Sequence, residues 1–72
     1  MTSIEEKIAK SHMGAMMNLL EDYVIPLIDD IANVLPEANE DTVSIVMEAK
    51  RKIEQGRSLL ETAYQSIPEE EE

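Results

Sequence analysis

The chain of 72 residues has no cysteine, phenylalanine or tryptophan, and only one histidine. Each absence closes a route to stability or chemistry. Without cysteine there is no disulfide and no thiolate metal site, and one histidine is too few for an ordinary histidine-based zinc site. Chains below roughly 70–80 residues rarely gain more than about 3–5 kcal/mol from a single core. With disulfides and metals excluded, long well-packed helices and association remain. A core lacking Phe and Trp must be built from Leu, Ile, Val, Met and Ala. That palette suits helix packed on helix better than a sheet sandwich. Bases are also scarce. Sixteen acids stand against six bases, for a net charge of −10. Such a charge repels nucleic acid and anionic membrane, so neither is expected as a direct partner. No apolar run approaches about 18 residues, so no spanning helix is expected. The opening "MTSIEEKIAK" mixes charged and apolar residues and does not read as a signal peptide, so the expected location is cytoplasmic.

What is present is helical pattern. Ser3 followed by Glu6 forms a capping-box signature, with Glu5 and Glu6 well placed for the helix dipole. From there Met13, Met17, Leu20, Val24, Leu27, Ile31 and Val34 step by fours and threes. Pro26 falls inside this run. Because the pattern keeps its phase across it, the expectation is one long helix over about 4–34 that is kinked at Pro26, with the missing bond at the carbonyl of Asp22. Pro36 disfavours helix at Leu35, and Asn39 is a good N-cap. A second helix is expected from Glu40 to Ser66. Its seam reads Val43, Val46, Ala49, Ile53, Gly56, Leu60, Ala63 and Ile67. The small residues Ala49, Gly56 and Ala63 would admit a close backbone neighbour. A short link makes the helices antiparallel. The fold class is therefore all-α, an antiparallel helical hairpin over 1–67 with a disordered acidic tail at 68–72.

The first helix is apolar over too wide an arc for one neighbour. Met16 and Tyr23 lie on one flank of the expected seam, and Ile25, Ile28 and Leu35 on the other. Leaving such side chains in water forfeits about 1.5–3 kcal/mol each. The expected closure is a homodimer forming a four-helix bundle; a different protein partner is the alternative. In layout alone this resembles the small dimeric helical-hairpin bundles of plasmid copy control, and the acidity argues against their RNA-binding role.

Chemistry is thin. His12 invites a histidine-phosphotransfer reading, with Lys10 and Gly14 loosely fitting, but the expected His-x-x-Lys-Gly order is absent. No Glu-x-x-His pair suggests two metals, and there is no phosphate loop or nucleophile elbow. Neither an enzyme nor a cofactor is expected. Charge placement says more. Between Ser11 and Ala49 there are eight acids and no Lys or Arg. Glu21/Asp22 and Asp29/Asp30 repeat about two turns apart, and Glu37, Glu40 and Asp41 crowd the turn. The expected function is a small acidic interaction module: an adaptor, assembly factor or inhibitor of a larger, basic-surfaced protein. It would act through Met13, Met16, Met17, Tyr23, Ile25, Ile28 and Leu35 together with these acids. A phage-type acidic inhibitor that mimics nucleic acid is the alternative; phosphotransfer at His12 is a second.

Overall fold

The computed structural model describes residues 3–68, all of them in helices or the segments that join and end them. The tail expected at 68–72 lies, apart from Pro68, outside the described residues. The first arm comprises α1 (Ile4–Leu19), a π-helical turn (Leu20–Val24) and α2 (Ile25–Val34). A 3₁₀ turn (Glu37–Asn39) leads into α3 (Glu40–Ser66), the second arm.

Local chemistry sets the ends. At the start of α1, the Glu6 N–H donates to the Ser3 hydroxyl at 3.1 Å, and the Ser3 N–H donates to the Glu6 carboxylate at 3.2 Å. Two N–H groups that the first turn leaves without partners are thereby satisfied. Asn39 occupies the N-cap of α3, but its side chain makes no capping bond. Its backbone N–H instead closes the 3₁₀ turn on the Pro36 carbonyl at 2.9 Å. Acids in the first turn, Glu40 and Asp41, complement the α3 dipole there.

The arms run antiparallel. Lys10 reaches Ile67, Glu21 reaches Arg57 and Asp29 reaches Lys50, a descending series that only an antiparallel pair produces. The result is a rod of 57 × 16 × 15 Å with a radius of gyration of 16.5 Å. A compact domain of this length would have about 11 Å. Two helices side by side enclose little. Leu20, at 8% exposure, is the one buried hydrophobic residue among those described.

The seam departs from the sequence pattern in both arms. Met13, Met17, Leu20 and Val24 face inward, but then Ile28, Ala32 and Leu35 take over from the expected Leu27, Ile31 and Val34. Leu27, Ile31 and Val34 are 46%, 47% and 79% exposed. The π turn is the cause. The Ile25 N–H bonds back to the Leu20 carbonyl, five residues away instead of four. One extra residue in a turn turns everything downstream by one position, roughly 100°. Backbone angles stay helical at Leu19, Leu20, Val24 and Ile25, so Pro26 does not divide the arm. It stands in the first turn of α2, where a residue without an N–H is best tolerated.

In α3 the inward residues are Val43, Val46, Lys50, Ile53, Arg57, Leu60, Tyr64 and Ile67. Of the small residues in the sequence pattern Ala49 is exposed, while Gly56 and Ala63 stay half-buried beside Arg57 and Tyr64, and Lys50 takes the place of Ala49. A Cβ on Gly56 would meet nothing within 4 Å, so the first arm does not use that gap. Lys and Arg lay their apolar stems along the seam while their charged heads reach acids on the other arm, which small residues cannot do.

Candidate interaction faces

The two edges of the hairpin differ in kind. Along one edge run cross-arm polar contacts. The Lys50 ammonium lies 2.6 Å from the Asp29 carboxylate. The Arg57 guanidinium pairs with Glu21 and, at 2.8 Å, with Glu61. The Lys10 ammonium donates to the Ile67 carbonyl at 2.8 Å and sits 4.6 Å from the centroid of the Tyr64 ring. The Asp29 partner, assisted by Glu54, raises the Lys50 pKa above its ordinary value, against a smaller opposing effect of desolvation. Glu21 and Asp29 each follow an inward residue, Leu20 and Ile28, by one position.

Along the other edge stand the residues that precede inward ones. Ile8, His12, Met16, Leu19, Tyr23, Leu27, Ile31 and Val34 come one position before Ala9, Met13, Met17, Leu20, Val24, Ile28, Ala32 and Leu35, and all eight are exposed. One step back along a helix rotates by about 100° in the sense opposite to one step forward. This stripe therefore lies across the seam from the ion-paired edge. The same step in α3 selects Thr42, Ile45, Ala49, Lys52, Gly56, Leu59, Ala63 and Ser66. In an antiparallel pair these flanks share one face. None of these stripe positions is Asp or Glu, although the chain has sixteen acids; from the rim, the Glu48 carboxylate comes within 4.0 Å of the Lys52 ammonium and Glu54 lines one depression with Leu59.

The expected contact residues are thus sorted by the π turn. Met16 and Tyr23 lie on the open face, while Met13, Met17, Ile25, Ile28 and Leu35 are half-buried against α3. Ile25, Ile28 and Leu35, read from the sequence as an outer flank, belong to the hairpin's own seam because the extra residue turns them inward. Leu19, Leu27, Ile31 and Val34 replace them outside. The pattern alone gives no signal of this; the one hint is a proline inside a helical run. Glu21 and Asp29 are held in cross-arm ion pairs, while Asp22, Asp30, Glu37, Glu40 and Asp41 are exposed. At the turn, Glu37 and Glu40 rim an open depression of about 410 Å³ floored by Ala32, Leu35, Pro36 and Val43.

His12 is exposed, but the neighbours counted for phosphotransfer are engaged elsewhere. Lys10 is held by Ile67 and Tyr64, and a Cβ on Gly14 would lie 3.5 Å from the Tyr64 ring. No group of three or more His, Cys, Asp or Glu side chains suited to a metal occurs among the described residues. No helix among them is long and apolar enough to cross a membrane. No protein-family model matches the chain, and no match was found among curated proteins or solved structures.

Proposed function

We propose that the protein is a small acidic interaction module without catalysis of its own, serving as an adaptor, assembly factor or inhibitor of a larger protein with a basic surface. In this reading the first arm kinks at Pro26, and a second copy completes a four-helix bundle. The acidic turn half carries the docking. The observation that supports it most is the segregation of charge. Eight acids and no Lys or Arg fall between Ser11 and Ala49, and at the turn Glu37 and Glu40 rim a depression with an apolar floor. Such a site suits Lys or Arg, whose apolar stem fits the floor while its cation meets the rim.

The test uses a lysine- and arginine-rich peptide as probe, titrated at low and high salt. Binding that weakens with salt, and falls about tenfold when Glu37→Gln, Glu40→Gln and Asp41→Asn are combined, is the expected result. A control with Glu5→Gln and Glu54→Gln should bind nearly as well as the native chain. Salt-independent binding, or equal loss in both variants, would overturn the turn as the docking site.

A further inference from the structure

We infer that the open face is the seam of a two-fold dimer, with the axis passing through Leu19 and Leu59, arm one packed antiparallel on the partner's arm one and α3 on the partner's α3. This deepens the proposed bundle by assigning its face and register, and it rests on that reading.

Four observations converge on a second copy as the occupant. The first is size. With this axis, arm one is covered over 4–34 and α3 over 52–66, a contact on the order of 500 Å² per copy, about the 1,000 Å² in total that a specific interface needs. The second is charge. A basic protein would be drawn to the acid-rich turn, whereas the stripe positions themselves carry no acid and only Glu48 and Glu54 reach this face from its rim. Two copies of a chain carrying −10 approach each other most readily where acids are fewest.

The third is symmetry. An isologous contact requires a stripe that reads alike in both directions. Around Leu19 the stripe does so: Met16 falls opposite the partner's Tyr23, His12 opposite Leu27, and Ile8 opposite Ile31. Each pair sums to nearly the same residue number, which is the condition for antiparallel register. The fourth is agreement between the arms. The cross-arm contacts Lys10–Ile67, Glu21–Arg57 and Asp29–Lys50 put Leu19 level with Leu59. An axis through Leu59 sets Gly56 opposite the partner's Ala63. This gives Gly56 the close neighbour that the hairpin itself does not supply, since its Cβ direction is open within 4 Å. Leu19 and Leu59 are both exposed, at 56% and 70%.

The native chain lacks cysteine, so single cysteine substitutions report the register cleanly. Leu19→Cys and Leu59→Cys should each form an interchain disulfide under mild oxidation, because a residue on a two-fold axis meets its own copy within bridging distance. Ser58→Cys, on another side of the same helix, should not. Light scattering of the native chain at micromolar concentration should give twice 8.1 kDa. Leu19→Asp should give a monomer whose helicity is followed by circular dichroism. A dimeric mass in which the Ser58→Cys variant bridges as fast as the Leu59→Cys variant would overturn this seam. A monomeric native mass would overturn the dimer altogether. Titration of the basic peptide with Leu19→Asp separates this inference from the docking site: binding kept while the dimer is lost shows that the turn acts alone, and failure of the peptide to bind a well-formed dimer counts against the turn alone.

Discussion

At the scale of single residues, Leu20 carries an unusual share of the fold. It sits at the middle of the first arm, one position before Glu21 and its ion pair with Arg57, and is the one hydrophobic side chain sealed from water among the described residues. Truncating a buried leucine costs about 2–5 kcal/mol, less where neighbours can settle into the space. A two-helix rod can settle, so Leu20→Ala should cost about 2–3 kcal/mol. In a chain of this size that is a large part of the total. The truncation Asn33→Ala, at an exposed position outside the first arm's apolar stripe, should cost well under about 1 kcal/mol. Urea unfolding followed by circular dichroism gives both values, and equal costs would show that the core is not centred on Leu20. Gly14 makes a contrasting case. Its missing side chain leaves space over which Tyr64 lies, with ordinary contact distance to an added Cβ. The sequence pattern gives no sign of this partner, because Tyr64 lies fifty residues away in the chain.

At the scale of elements, the helices and their ends are legible in the sequence and the facing of the arms is not. The Ser3–Glu6 box, the stop before Pro36 and the span Glu40–Ser66 follow from local rules, and the structure has them. Facing depends on counting residues per turn, and a single π turn corrupts the count without altering composition. Removing one residue from it makes the point. With Asp22 deleted, Met13, Leu20, Ile28 and Leu35 fall at strict intervals of seven, so the inward set would fit an uninterrupted α-helix. Pro26 would then lie in a helix interior, where it costs about 3 kcal/mol or more. The expected outcome is therefore paired. Deletion of Asp22 should destabilise the native chain by about 3 kcal/mol, yet cost less than about 1 kcal/mol in a Pro26→Ala background. If the deletion is equally costly in both, the π turn does not exist to accommodate the proline. On this reading the turn and Pro26 act as one device. It turns Ile25, Ile28 and Leu35 into the seam and exposes Leu27, Ile31 and Val34.

At the scale of the whole molecule, the two edges divide the work of folding and association. Cross-arm ion pairs tie one edge, apolar side chains are left open on the other, and the exposed acids Glu37, Glu40 and Asp41 gather at the turn. The tied edge should leave a signature in alkaline solution. Lys50 gains its partner Asp29 only when the arms close, and its folded pKa is raised above the ordinary 10.5. A group whose folded pKa lies above its unfolded one stabilises the fold fully below the unfolded value, and this contribution is lost as pH rises through the folded value. Neutralising the partner with Asp29→Asn removes the cause of the shift. Native chain and variant should therefore differ in stability at about pH 8–9, and the difference should shrink above pH 10.5 as Lys50 loses its proton. Effects of alkali that are common to both proteins cancel in the comparison. Added salt should narrow the same difference at about pH 8, because the pair lies near the surface. Urea unfolding of both proteins across this range checks the sign. A difference that stays constant through about pH 11 would mean that the arms are held at this edge by packing of the Lys50 stem, with no contribution from its charge.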